Sequence, residues 1–231
     1  PPMSMWMYLP SYALTGESRY AHALAYTLSG VGIALLVRSP MALAAGLLLL
    51  AAPAQWVVIE SSWTEPFLLV ALVGLALVAT RCPKWTPIVL GLFLAMKQYT
   101  IIFVPLVFLL LPRPLGWKTS IRFLVLVTIT GAVVSLPLAL WDWGAFWNSA
   151  VSIQLKQPFR FDAFSFLALY AHTQPESFEP PKWWSWIAFV LLIPTWAILL
   201  WRMPRDITGF VLGVTAVMIV LLALLNDFPI M

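Results

Sequence analysis

The chain has 231 residues, of which 62% are hydrophobic and 10% charged, and its formal net charge is +4. A soluble domain carries roughly 25% charged residues, so the composition excludes that class and points to an integral membrane protein. The positive surplus is explained by lysine and arginine at helix ends and gives no reason to expect a nucleic-acid partner.

Apolar runs recur along the whole length, which reads as an all-α polytopic transmembrane helical bundle, a single domain over residues 1–231; a barrel would need alternating strands. The opening "PPMSMWMYLP" shows no charged leader before an apolar core, so no signal peptide is visible, and with the ending "LLNDFPIM" it suggests a fragment. A span needs about 20 mostly apolar residues. In chain order the candidates are 20–37, 41–59, 66–80, 121–141, 184–201 and 207–225. Residues 86–112 are harder to place. As one helix they would rise about 40 Å, more than the hydrocarbon core of about 30 Å, and as two pieces each would be short and supported by protein rather than lipid.

Charge decides between these, because cytoplasmic loops collect lysine and arginine. If 86–112 is a hairpin of two pieces, Arg38, Arg81, Lys84, Arg113, Lys118, Arg122, Arg202 and Arg205 share one side, against Arg19, Lys156, Arg160 and Lys182 on the other. A single crossing divides the same residues evenly, so the hairpin is expected. Residues 1–19, the 60–65 loop, the hairpin tip and the 142–182 stretch then lie outside, and the aromatic residues of 142–182 suit a loop lying in the membrane interface.

Three places can carry chemistry. Lys97 sits at the hairpin tip with Gln98 and Tyr99, and a lysine at that depth is costly unless it faces protein, water or an anion. The plainer alternative is a side chain that snorkels to lipid phosphates. In "IESSWTEPF", Glu60 and Glu65 flank Trp63 in a tight outer loop, where two carboxylates can act as general base, general acid or ligands of a divalent cation. Thr64-Glu65-Pro66 also makes a good helix start with a capping threonine, whereas Glu60 ends a helix, where the dipole does not favour an acid. In "IQLKQPFRFDAFSF", Lys156, Gln157 and Arg160 offer donors for a phosphate, or a basic face for lipid headgroups. His22 and His172 have no ligand partner in sequence and read as satisfied polar residues; Cys82 stands alone and receives no role. Phosphate-binding glycine loops and GxSxG or HExxH motifs are missing.

The order "ESSWTEP", a helix, "RCPKW", then "GLFLAMKQYTIIFVPLVFLLLP" resembles the integral membrane glycosyltransferases of the C superfamily, and "QPFRFDAFSF" is similar to a stretch in some bacterial members. The resemblance covers most of residues 1–225. It implies a hexosyl or pentosyl transferase that moves a sugar from a polyprenyl-phosphate carrier to a lipid, glycan or protein acceptor, at the outer face of a bacterial cytoplasmic membrane. Glu60 and Glu65 would be catalytic, assisting deprotonation of the acceptor or holding a divalent cation. Lys97, Gln98 and Arg160 would bind the donor phosphate, and Trp63 and Tyr99 would contact sugar or acceptor. Such enzymes carry an essential aspartate in the first outer loop, but residues 1–19 hold only Glu17. The principal acid is therefore expected upstream of Pro1, leaving this stretch inactive by itself. The competing class is a transporter or flippase of a lipid-linked sugar or small anion, since transporters place their sites at interrupted helices.

Overall fold

A computed structural model describes residues 2–111, 116–153, 165–174, 181 and 184–224. They are helical, with no strand among the described residues. The order is α1 Pro2–Thr15, α2 Arg19–Leu36, α3 Pro40–Ala51, α4 Ala54–Glu60, α5 Glu65–Arg81, a 3-10 turn Pro83–Trp85, α6 Thr86–Leu94, a 3-10 helix Gln98–Leu109 and α7 Trp117–Trp141. Then come α8 Trp143–Trp147, a π-helical turn Asn148–Ser152, α9 Phe166–His172, α10 Trp184–Arg202 and α11 Ile207–Leu224. The chain divides into two compact units, one of Pro1–Ile102 with Pro112–Phe146, the other of Phe103–Leu111 with Trp147–Pro229.

In the first unit α2 packs between α3 and α5, and α6 packs on α5 and α7. Small residues set the approach, as in helix pairs that gain little from hydrophobic exclusion. A Cβ on Gly46 would lie 2.4 Å from the Gly30 carbonyl oxygen, and one on Gly91 would lie 2.5 Å from that of Val127. At both crossings backbone meets backbone.

Residues 1–19, expected to be an outer stretch, begin with a helix. Met3, Met7 and Tyr8 pack on a core of Ala21, Ala25, Phe67 and Met96, while Ser4 is itself buried. Positions 3, 4, 7 and 8 share one face at helical spacing, and burying that face fixes α1 despite Pro10. The expected span 41–59 is bent instead of straight. It breaks into α3 and α4, bent by 53°, because Pro53 cannot continue the helix that precedes it. Ser39 starts α3 by accepting a bond from the Ala42 N–H at 3.2 Å.

Residues 86–112 do separate into two helical pieces, interrupted at Ala95–Lys97. The second piece is a 12-residue 3-10 helix. Side chains three apart eclipse in that geometry; Thr100, Ile102, Phe103, Leu106, Val107 and Leu109 are buried, while Ile101, Val104 and Phe108 are exposed.

Among the described residues one helix, α7, is by itself long and apolar enough to cross a membrane, and the bent pair α3 and α4 passes the same measure if taken as one span. Its 25 residues rise about 37 Å, and Trp117 and Trp141 stand exposed at its two ends, where interfacial aromatics belong. Asp142 then starts α8, accepting from the Ala145 N–H at 2.9 Å.

In the second unit α10 and α11 pack as a pair, and α9 touches α11. Its core gathers Leu106, Leu192, Phe210, Val214 and Val217, with Leu106 seated over Gly213. Asp206 starts α11 by accepting from the Gly209 N–H at 2.9 Å.

Candidate functional site

The candidate site is built in the first unit from the start of α2, the loop between α4 and α5, and the interruption after α6. α4 ends in a left-handed cap. Ser62 adopts φ 52°, its N–H donates to the Ile59 carbonyl at 3.0 Å, and the Trp63 N–H reaches back to Val58 at 3.0 Å. This closes the orphan carbonyls of α4, with serine in a backbone region that favours glycine. The same turn leaves Trp63 half-buried and aims the chain into α5.

Glu65 opens α5 ahead of Pro66, at the positive end of the dipole. The expectation that Thr64 caps this helix is corrected. Its backbone, at φ −89° and ψ 5°, is outside the extended region an N-cap side chain needs, and Oγ1 of Thr64 is buried without a hydrogen-bond partner.

Lys97 is 4% exposed and its Nζ donates to Oε1 of Glu65, forming an ion pair. The ammonium also lies 5.2 Å from the centre of the Tyr99 ring, within reach of a cation–π contact. The snorkelling alternative is thereby set aside, because the side chain turns into protein. Around it, carbonyls at the break find donors. The Thr100 hydroxyl lies between the Leu94 and Lys97 carbonyls and can donate to either, the Ser4 hydroxyl donates to Met96, and the Met3 N–H to Ala95 at 3.2 Å. The helix end is thus held open as a fixed polar break. Gln98 is half-buried beside it.

Glu60 has a different environment. Its side chain is exposed and sits 3.4 Å from Arg19, which also faces Glu17 at 3.6 Å. The base offsets the unfavourable place of this acid at the end of α4. Of the two carboxylates, the structure encloses Glu65 and leaves Glu60 to solvent. Among the described residues no group of three or more His, Cys, Asp or Glu side chains could hold a metal ion. The two acids expected to serve a divalent cation are instead each matched by a separate base.

Sequence reasoning missed His22. It is 1% exposed, its ring lies 4.6 Å from Phe67, and its Nδ1 is 2.8 Å from the Ser18 carbonyl oxygen. A carbonyl only accepts, so in the neutral ring Nδ1 carries the proton and Nε2 keeps its lone pair. The backbone at Ser62 bonds the ring as well, and Nε2 is buried. The signal was the buried stripe of α2, where His22, Ala25, Tyr26, Ser29 and Gly30 share one face with the histidine at its end.

His22 and Thr64 line a pocket of about 420 Å³ with Tyr8, Tyr12, Ser18 and Ser62. Glu65, whose Oε2 is likewise buried and unpartnered, lies within electrostatic reach of His22, Tyr26 and Tyr99. Leaving a buried polar atom unsatisfied costs about 1–3 kcal/mol, and two such atoms, Oγ1 of Thr64 and Oε2 of Glu65, gather here, the usual mark of a site shaped for something besides stability. Arg160, with Lys156 and Gln157, lies outside the described residues. No family model matches the chain, and neither does any curated protein or solved structure.

Proposed function

We propose that the chain is a polytopic membrane glycosyltransferase that moves a sugar from a polyprenyl-phosphate carrier to an acceptor at the outer face of the membrane. The observation that carries this reading is the Glu65–Lys97 pair, held at a fixed break in a helix beside a polar pocket. Transfer to a hydroxyl needs a base for the acceptor proton and a cation for the charge that grows on the leaving phosphate, in a water-poor setting. Glu65 and Lys97 supply both. Each neutralises the other until a lipid phosphate takes the place of the carboxylate on Lys97; Glu65 is then released to accept the proton. Gln98 adds a phosphate contact, Glu60, Trp63 and Tyr99 contact acceptor or sugar, and a divalent cation would enter only with the donor. Orientation follows from Arg81, Lys84, Lys118 and Arg122 on the cytoplasmic side.

Transport of the lipid-linked sugar is a second reading. It is favoured by two interrupted helices, the 53° bend between α3 and α4 and the break at Ala95–Lys97. One experiment separates them. Membranes from cells that make the protein, and from cells that lack it, are given radiolabelled polyprenyl-phosphate hexose or pentose together with a membrane lipid extract. Transfer appears as label in a new product with release of polyprenyl phosphate, and it disappears with Glu65→Gln. Label that only becomes protected inside vesicles, still on its carrier, supports transport; no difference between the membranes rejects both.

A further inference from the structure

We infer that the end of α2 and α5 remote from the Glu65–Lys97 pair carries a seat for one anionic phospholipid headgroup, formed by Arg38, Arg81 and Lys84. The two helices run side by side in the same direction. The His22 ring lies 4.6 Å from that of Phe67 near their starts, and Leu35 bonds to Arg81 at their ends. Glu17, Glu60 and Glu65 belong to the starting end, about 24 Å from Arg81 along the 17 residues of α5.

Charge is matched at one end and unmatched at the other. At the starts of the helices Arg19 faces Glu17 and Glu60, and Lys97 is paired with Glu65. At their ends Arg38, Arg81 and Lys84 are exposed, and among the described residues none of the three is in an ion pair. An anion arriving there has no carboxylate to displace.

Arg81 is held in place at this seam. Its Nη2 donates to the Leu35 carbonyl at 2.5 Å, which closes an orphan carbonyl of α2 and engages one of the five N–H groups of the guanidinium. The other donors keep the planar fork that suits two oxygens of a phosphate. Arg38 follows Leu35 by three residues, after α2 has ended in the extended Val37. Lys84 follows Arg81 by three, and its ammonium lies 6.0 Å from the centre of the Trp85 ring. Trp85 is 51% exposed, an aromatic of the kind that lies among headgroups.

Apolar surface beside these cations favours a lipid over a free anion. Leu24, Leu28, Val31 and Leu35 recur at intervals of four, three and four on α2, share one of its faces and are all exposed. The stripe runs about 16 Å along the helix and stops at the residue whose carbonyl holds Arg81. It gives an acyl chain a track from the phosphate into the hydrocarbon. Basic pockets between membrane helices bind anionic headgroups in this way. The inference uses neither transfer nor transport, so it stands or falls by lipid binding alone.

The test uses the intact chain purified in an uncharged detergent. Dioleoyl phosphatidylglycerol, dioleoyl phosphatidylcholine and inorganic phosphate are added in turn; bound lipid is counted by native mass spectrometry and thermal unfolding is followed. Phosphatidylglycerol is expected to stay bound and to raise the unfolding midpoint, which phosphatidylcholine and phosphate should not do. Arg38→Gln with Lys84→Gln should lower phosphatidylglycerol affinity about tenfold. Lys118→Gln with Arg122→Gln removes the same charge from the start of α7 and should leave that affinity unchanged. The unsubstituted protein supplies a second readout, because Cys82, its one cysteine, is exposed between Arg81 and Lys84. Phosphatidylglycerol should slow alkylation of Cys82 by N-ethylmaleimide several-fold, and phosphatidylcholine should not. Equal retention of phosphatidylcholine, the same rise in midpoint from phosphate alone, equal losses from both pairs of substitutions, or alkylation of Cys82 unaltered by phosphatidylglycerol would each overturn the assignment.

Discussion

Lys97 and Glu65, 32 residues apart in sequence, form an ion pair whose two ends are unequally buried: the lysine side chain is 3% exposed and the glutamate 29%. The lysine has no other route to solvent, while the glutamate side chain is part-exposed and can rotate toward water, although its Oε2 is buried where it stands. Removing one member therefore has different consequences from removing the other. Glu65→Gln strands a buried ammonium and is expected to cost about 3 kcal/mol, the lower end for a broken buried pair. Lys97→Met leaves a carboxylate that can turn toward water and should cost less, about 1–2 kcal/mol. The double substitution Glu65→Leu with Lys97→Met should be more stable than Glu65→Gln alone. Unfolding of the four proteins in detergent measures this, and equal costs for both single variants would rule out the asymmetry.

Ser62 carries the left-handed turn that ends α4, at φ 52°. A non-glycine residue there is strained by about 1 kcal/mol, so Ser62→Gly is expected to stabilise the protein by about that amount. The thermal unfolding midpoint should rise, and an unchanged or lowered midpoint would exclude strain at this turn.

How far these features could be read from sequence depends on the range of the forces that set them. The positions of α2, α5, α10 and α11 follow from apolar runs and their ends, which are local. The break near Lys97 was legible because the 27 residues of 86–112 were too long for one span and charge parity preferred two pieces. Helix α1 was overlooked, since its cue was a short stripe of Met3, Met7 and Tyr8 whose burial depends on α2, α5 and Met96. Pro53 was visible, yet it was absorbed into an apolar run. The partner of Lys97 could not be read, because a place at a helix start or a helix end does not say which of Glu65 and Glu60 faces a residue so far along the chain. Only the turn at Ser62 and the packing of α5 decide which carboxylate is enclosed.

The crossing of α2 and α3 gives a stability test with an internal control. A methyl on Gly46 would lie 2.4 Å from the Gly30 carbonyl oxygen, with no flexible side chain to yield, so Gly46→Ala must separate two backbones. Overpacking of this kind costs about 1–3 kcal/mol. Gly74, in α5, has nothing within 4 Å of where its Cβ would be. Gly74→Ala therefore gains only helix propensity and should stabilise by about 1 kcal/mol. Opposite shifts in unfolding temperature are expected from two chemically identical substitutions.

The membrane orientation can be read with the protein's own thiol. Cys82 is exposed, follows Arg81 at the end of α5 and precedes Lys84, on the side assigned to the cytoplasm. α7 begins beside Lys118 on that same side and rises about 37 Å to Trp141, so Gly144 in α8 should face outward. An impermeant maleimide applied to intact cells is expected to leave Cys82 unmodified until the cells are permeabilised. In a Cys82→Ser background it should modify Gly144→Cys at once and Lys118→Cys only after permeabilisation. Prompt modification of both Lys118→Cys and Gly144→Cys would show that α7 does not cross. Reversal of the pattern would put Glu65 and Lys97 on the cytoplasmic side and exclude an outer-face donor.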